Sequence, residues 1–146
     1  LPDVSFSIMR IGLVLSKSGG LYKMCKILSK LLILSPIGIG NQWQSWIHEK
    51  DAAKIILLSC ENSWRGTYNL VAPNPVKQNE LINKIAIFNK SRVIFPNIPS
   101  FIIKLLFGKM SEIILSSQKV KSVKLSESDF SFKNIDDALK DLSKNI

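Results

Sequence analysis

Residues 4–15, Val-Ser-Phe-Ser-Ile-Met-Arg-Ile-Gly-Leu-Val-Leu, decide the fold. Apolar residues first alternate with others and then run almost without interruption. That pattern predicts one strand entering a sheet that is covered on both faces. Ser16 to Gly20 reads as a turn. Beyond it Leu21, Met24, Ile27, Leu28, Leu31 and Leu32 recur at helical spacing, predicting a helix over 21–34 with that stripe inward.

Working outward, Pro36, Gly38 and Gly40 mark a loop, and Gln42 to His48 reads as extended. Asp51 is the expected N-cap of a helix running to about Cys60. A turn at 62–66 leads to a short buried strand, Thr67 to Val71, which Pro73 and Pro75 break off. A helix is expected over 77–89 with Leu81, Ile82, Ile85 and Phe88 inward, then a short strand from Arg92 to Phe95. Further helices are expected at Phe101–Phe107, stopped by Gly108, within 109–125, and at 134–143 with Ile135, Ala138, Leu139 and Leu142 inward. Strands alternating with helices give an α/β order in the first half, and the chain after Pro73 is mainly helical.

Composition narrows the function classes. The 146 residues are 46% hydrophobic and 21% charged, enough to build a core. The net charge of +9 is carried by lysines scattered along the chain, with no basic arm or zinc-finger pattern, so we read a solvated basic surface and no nucleic-acid partner. Cys25 and Cys60 stand in no metal or redox spacing, which points to a reduced, cytoplasmic protein. A single histidine, His48, cannot build a multi-histidine metal site within this chain. The greasiest run, Leu21 to Ile39, is interrupted by Lys23, Lys26 and Lys30, so no transmembrane segment is expected. The chain opens at Leu1 directly into an apolar stretch, from which we expect a piece of a longer protein.

Two motifs are decoys. Tyr22 and Lys26 match the Y-x-x-x-K spacing, which sets a phenol and an ammonium on one helix face for proton transfer. No serine is placed to join them, so no catalytic residue is expected in this chain. Gly38-Ile-Gly40 begins like a dinucleotide loop, but Trp43 takes the third glycine place and the strand–turn–helix context is missing. Trp43-Gln-Ser-Trp-Ile-His48 is more informative. If this segment is extended, the side chains of Gln44, Trp46 and His48 share one face, and that face is the expected substrate wall.

Several ordered segments together resemble a known family. Arg10-Ile-Gly12-Leu-Val14-Leu15 with Gly19-Gly20, then Gly38-x-Gly40-x-Gln42-Trp43-x-Ser45-Trp46-Ile47-His48-x-x-Asp51, then Gly66-x-Tyr68-Asn69-Leu70-x-Ala72-Pro73-Asn74-Pro75-Val76 are similar to segments of the atypical short-chain dehydrogenases, the NAD-dependent epimerase/dehydratase-like proteins. The tail, with Phe130-x-Phe132 and Asp137-Ala138-Leu139, resembles the C-terminal domain of unknown function that closes those proteins.

The resemblance implies the C-terminal part of a Rossmann-like fold over residues 1–72 and a mainly helical substrate-side domain over 73–146. It implies NAD or NADP in the full-length protein, held mostly by an N-terminal cofactor-binding half, with none bound by this chain alone. It also implies that backbone at Ile11, Gly12 and Leu13 passes the nicotinamide, where a glycine would ease approach of a flat ring. The Gly-rich loop and Ser/Tyr/Lys centre of the family would lie upstream, so the chain alone is expected to be inactive. Gln44 stands where nucleotide-sugar epimerases place an arginine, and a neutral amide cannot form a bidentate charged clamp on a diphosphate. Ser122 and Asp129 replace the proline and glycine usual in relatives. The rival readings are a non-enzymatic interaction module or degenerate remnant, and a peripheral membrane-binding domain using segments 21–34 and 100–109.

Overall fold

A computed structural model describes residues 4–94, 96–108 and 115–144. The expected strand 4–15 is present but divided. β1 (Ser7–Ile11) and β2 (Leu13–Leu15) flank Gly12 and pair with different partners. β1 runs parallel to β5 (Gly66–Leu70), with Ile11 opposite Leu70. β2 runs parallel to β4 (Trp46–His48), with Leu13 opposite Trp46. The switch is locked by backbone bonds on either side of the break, Gly12 N–H to the Leu70 carbonyl at 3.1 Å and Leu13 N–H to the Ser45 carbonyl at 2.9 Å. A Cβ on residue 12 would stand 2.3 Å from the Ser45 oxygen and 2.7 Å from Val71 Cγ1. Glycine is therefore required here by the crossing of strands inside the protein.

β3 (Trp43–Gln44) is a separate strand, antiparallel to β6 (Val76–Lys77). Between β3 and β4, Ser45 is held by the tail: its hydroxyl donates to the Gln118 carbonyl at 2.7 Å and accepts from Val120 N–H at 2.8 Å.

The helices follow the strands. α1 (Gly20–Lys30) buries Tyr22, Cys25 and Ser29, a face one residue on from the expected stripe, so Met24, Ile27, Leu31 and Leu32 remain exposed. The helix is apolar around more than one side, and packing against α3 (Gln78–Phe88) selects the face. α2 spans Glu49–Glu61, earlier than expected, because His48 rather than Asp51 is the N-cap: its Nδ1 accepts from Lys50 N–H at 3.1 Å. Asp51 stands in the first turn and bonds elsewhere. α4 covers Ser100–Phe107. No strand forms at 92–94, and the end of that expected element, residue 95, lies outside the described residues. Residues 109–114 of the expected helix within 109–125 also lie outside them, and residues 116–122 are irregular rather than helical. A short 3₁₀ turn at Glu127–Asp129 precedes α5 (Ile135–Ser143), whose Ile135, Ala138, Leu139 and Leu142 are buried as the spacing predicts.

Two apolar clusters result. The larger joins Leu15, Tyr22 and Trp46 to Leu81, Ile85 and Leu139, drawing on both sides of position 72. The smaller gathers Ile47, Ile55, Leu70, Leu125 and Phe130. Successive residues of β4 thus enter opposite clusters, and this short strand is buried on both faces.

Candidate functional site

A cavity of about 670 Å³ opens where β1 gives way to β2, within the usual range of small-molecule sites. One side is the strand switch, Arg10 to Val14, with Asn69 and Val71 from the β5 strand and its exit. The other is Trp43, Gln44 and Ser45, with Gln78 at the start of α3. Ser116, Gln118 and Val120 of the tail complete the wall. These three elements meet because the tail is stitched to the strands. Trp43 N–H donates to the Ser117 hydroxyl at 3.0 Å, Gln118 N–H to the Trp43 carbonyl at 3.2 Å, Asn69 Nδ2 to the Lys121 carbonyl at 3.2 Å, and Ser122 Oγ to the Asn69 carbonyl at 2.6 Å. The tail residue Ser122 is therefore a working contact. Asp129 closes its own turn, accepting from Ser126 N–H at 2.8 Å.

Among the residues that sequence reasoning assigned, Ile11, Gly12, Leu13 and Gln44 all line this one cavity. Trp46 and His48 do not. Trp46 is fully buried in the larger cluster, and its indole N–H donates to the Asn74 carbonyl at 2.9 Å. His48 is fully buried too; its ring stacks on Phe132 with centroids 3.9 Å apart, and Nε2 faces Asp141 Oδ2 at 3.4 Å. Burial pulls the His48 pKa down, against the opposing pull of Asp141. The expectation of a shared face at 44, 46 and 48 presumed one unbroken strand. The chain is pinned at Ser45 and changes partner, so alternation does not carry from β3 into β4.

Tyr22 is likewise a core residue: it has no exposed surface, and burial raises its pKa, with the Asn89 side chain acting in the other direction. Gly38 and Gly40 shape a turn with φ of +61° and +70°, and neither lines the cavity. Among the described residues no cluster of His, Cys, Asp and Glu could hold a metal ion, and no helix is long and apolar enough to cross a membrane.

The sequence reading missed Gln78, Asn69 and the tail residues. Gln78 left a signal: it precedes Leu81 and Ile82 by three and four residues, so it sits on the inward stripe of α3 as a polar residue among apolar ones. Ser116, Gln118 and Val120 left none, since irregular backbone has no period.

Comparison with known proteins places this geometry. The family described as a domain of unknown function (DUF1731) matches residues 98–142. The chain is 36% identical over 132 residues to the epimerase family protein SDR39U1 homolog, chloroplastic, of Arabidopsis thaliana, covering 90% of this chain and 38% of that protein. It is 38% identical over 141 residues to the epimerase family protein SA0724 of Staphylococcus aureus, covering 94% of this chain and 46% of the relative. The chain thus spans less than half the length of these relatives. In three dimensions it matches the human epimerase family protein SDR39U1, solved with NADPH, at a TM-score of 0.87 and 28% identity, over 96% of this chain and 48% of that one. A nucleoside-diphosphate sugar epimerase from Corynebacterium glutamicum matches at 0.67 and 24% identity, over 92% and 25%, which speaks for the fold alone. The chain has the α/β architecture of a Rossmann-like epimerase and is homologous to the C-terminal part of the epimerase family proteins of the short-chain-dehydrogenase type.

Proposed function

We propose that this chain is the substrate-side half of an NAD(P)-dependent, epimerase/dehydratase-like oxidoreductase, and that its cavity is where substrate meets the nicotinamide. The observation that carries this reading is that Ile11–Leu13 and Gln44 line one and the same cavity. The residues fit the cofactor's uncharged end. The wall there is the backbone and apolar side chains of the strand switch, with Arg10 beside it and no carboxylate among the lining residues. The cofactor, when bound, supplies hydride chemistry. This chain's part is to fix the substrate's position and exclude water through the apolar walls of Leu13, Val14, Leu21, Val71 and Val120. The proton-transfer residues belong to the N-terminal half, because Tyr22 is core and His48 lies outside the cavity.

The test is NADPH titration of the full-length protein. Ile11 is half exposed on the cavity, so Ile11→Glu puts a hydrated carboxylate into the apolar wall proposed to meet the nicotinamide. Binding should weaken about tenfold or more, with the melting temperature kept. Equal affinity in the variant overturns the reading. The 146-residue chain by itself is expected to turn over no NAD(P)H.

A second reading, docking on an anionic membrane surface, has one observation in its favour. Residues 18–48 and 85–111 hold seven of the twenty Lys and Arg residues and no Asp or Glu, so these two stretches carry no compensating acid. Met24, Ile27, Leu31, Leu32, Ile87 and Phe101 are exposed in the same two stretches, and the Ser91 hydroxyl joins them by donating to the Ser29 carbonyl at 2.9 Å. Exposed apolar residues and unopposed cations on the same stretches suit an interfacial surface. Co-sedimentation with phosphatidylserine vesicles, lost in Leu31→Glu, supports this reading; no binding rejects it.

A further inference from the structure

The cavity carries a cation that nothing answers. Among the described residues that line it, Arg10 is charged and no Asp or Glu is present. The Arg10 side chain is exposed, and it has no ion pair, hydrogen bond or ring contact among the described residues. The strand register sets its direction. Arg10 on β1 stands opposite Asn69 on β5, so the two side chains share a face of this pair. Met9 and Tyr68, one position earlier on each strand, turn to the other face and pack on the smaller apolar cluster. Arg10 and Asn69 are left on the side where the tail runs. There Asn69 Nδ2 donates to the Lys121 carbonyl at 3.2 Å, and both residues line the cavity.

The surroundings favour an anion. Two further ammonium groups, of Lys119 and Lys77, lie over the ring of Trp43, a lining residue, 4.2 and 5.9 Å from its centroid. Cations of one sign around a cleft without acids draw an anion in. Gln44 and Gln118 also line the cavity, and each carries a side-chain amide able to donate to an oxyanion. A guanidinium matches the two oxygens of a carboxylate with two parallel N–H bonds. The same lining holds Leu13, Leu21, Val71 and Val120, which suit an apolar carbon frame.

We propose that Arg10 reads the substrate: its guanidinium donates to the carboxylate of a small organic acid whose apolar frame fills the rest of the cavity. This deepens the substrate-side reading and rests on it. On that reading the cofactor presents its uncharged ring at Ile11–Leu13, so the anion that Arg10 meets is the substrate's and not a cofactor phosphate. Arg10 acts as a specificity-determining contact and takes no part in proton or hydride transfer.

The experiment is calorimetric titration of the full-length protein, without cofactor, by three probes: cyclohexanecarboxylate, cyclohexanecarboxamide, which has the same frame without the charge, and inorganic pyrophosphate. The carboxylate is expected to bind at least about tenfold more tightly than the carboxamide. Arg10→Gln should bring the two to equal affinity. Its melting temperature should match the parent's, because the side chain it replaces is exposed and has no partner to lose. Arg10→Lys keeps the charge but not the planar fork, and should retain part of the preference. The carboxylate and carboxamide pair tests the idea in the parent protein even if a variant folds badly. Equal affinity for the pair, a preference that survives in Arg10→Gln, or pyrophosphate bound more tightly than the carboxylate through Arg10 each overturns the proposal. The NADPH titration of Ile11→Glu is a separate measurement. Unchanged NADPH affinity there with the carboxylate preference intact removes the cofactor reading alone, and the converse result removes the role of Arg10 alone.

Discussion

The Asp51 carboxylate on α2 accepts the backbone N–H of Ser131 at 2.9 Å, across eighty residues of chain, and its second oxygen takes the N–H of Phe132 at the same distance. Asp51 is 1% exposed. It is the joint between the strand–helix unit and the tail that ends in α5. Both bonds are charge-assisted, and removing the acceptor leaves two N–H groups unpaired. Asp51→Ala should therefore cost about 2–4 kcal/mol, more than the loss of a helix cap. Urea unfolding measures this. A cost within about 0.5 kcal/mol, the range of ordinary surface changes, would show that the joint does not hold the tail.

A comparison of Trp46 with Gln44 separates core from cavity. Trp46 fills the larger cluster and has no exposed surface. Trp46→Ala should cost about 3–5 kcal/mol and broaden or abolish cooperative unfolding. Gln44 is only half-buried on the cavity wall, so Gln44→Ala should stay within about 0.5 kcal/mol of the parent. Equal costs for the two would contradict the division of the segment at Ser45.

That division also marks the limit of what the sequence told. Element types along 7–88 were legible because period and punctuation are local: the α5 stripe at 135, 138, 139 and 142 came out buried as spaced. The α1 stripe did not, since a helix apolar on several sides takes its inner face from its neighbour, here α3. The cavity was half legible. Ile11–Leu13 followed from a family likeness, while Gln44, Trp46 and His48 were grouped by one strand alternation, which the structure ends at the pinned Ser45. The tail wall at 116–120 arises from contacts more than seventy residues apart in sequence. No local pattern encodes those.

The two thiols should differ sharply. Cys25 is 2% exposed and burial pushes its pKa up to about 12, whereas Cys60 is exposed. Since the thiolate is the reactive form, an aromatic disulfide reagent at pH 8 should titrate one thiol quickly in the native chain. The second should react only at the rate of unfolding, and in urea both should react together. Two fast thiols in the native chain would mean that α1 does not pack as described.

Acidification should destabilise the chain through His48. The ring is buried, stacks on Phe132 and caps α2 by accepting Lys50 N–H at Nδ1. That acceptance requires an unprotonated Nδ1, so the neutral ring carries its proton on Nε2, toward Asp141. Burial holds the folded pKa below the ordinary value of 6.5, and the Asp141, Asp51 and Glu49 carboxylates offset only part of that. The unfolded chain therefore binds the proton more readily than the folded one. Stability is fully present above the unfolded value and is lost as pH falls below about 6.5, levelling once the folded value is passed. Asp141, which Lys50 holds below the usual carboxylate range, adds its own loss only at more acidic pH. His48 is the one histidine of the sequence, so the window between pH 7.5 and 5 isolates it. The melting temperature of the parent chain should drop across that window. His48→Asn keeps a capping oxygen but cannot titrate, and its melting temperature should stay flat there. An equal drop in both proteins would remove His48 as the cause.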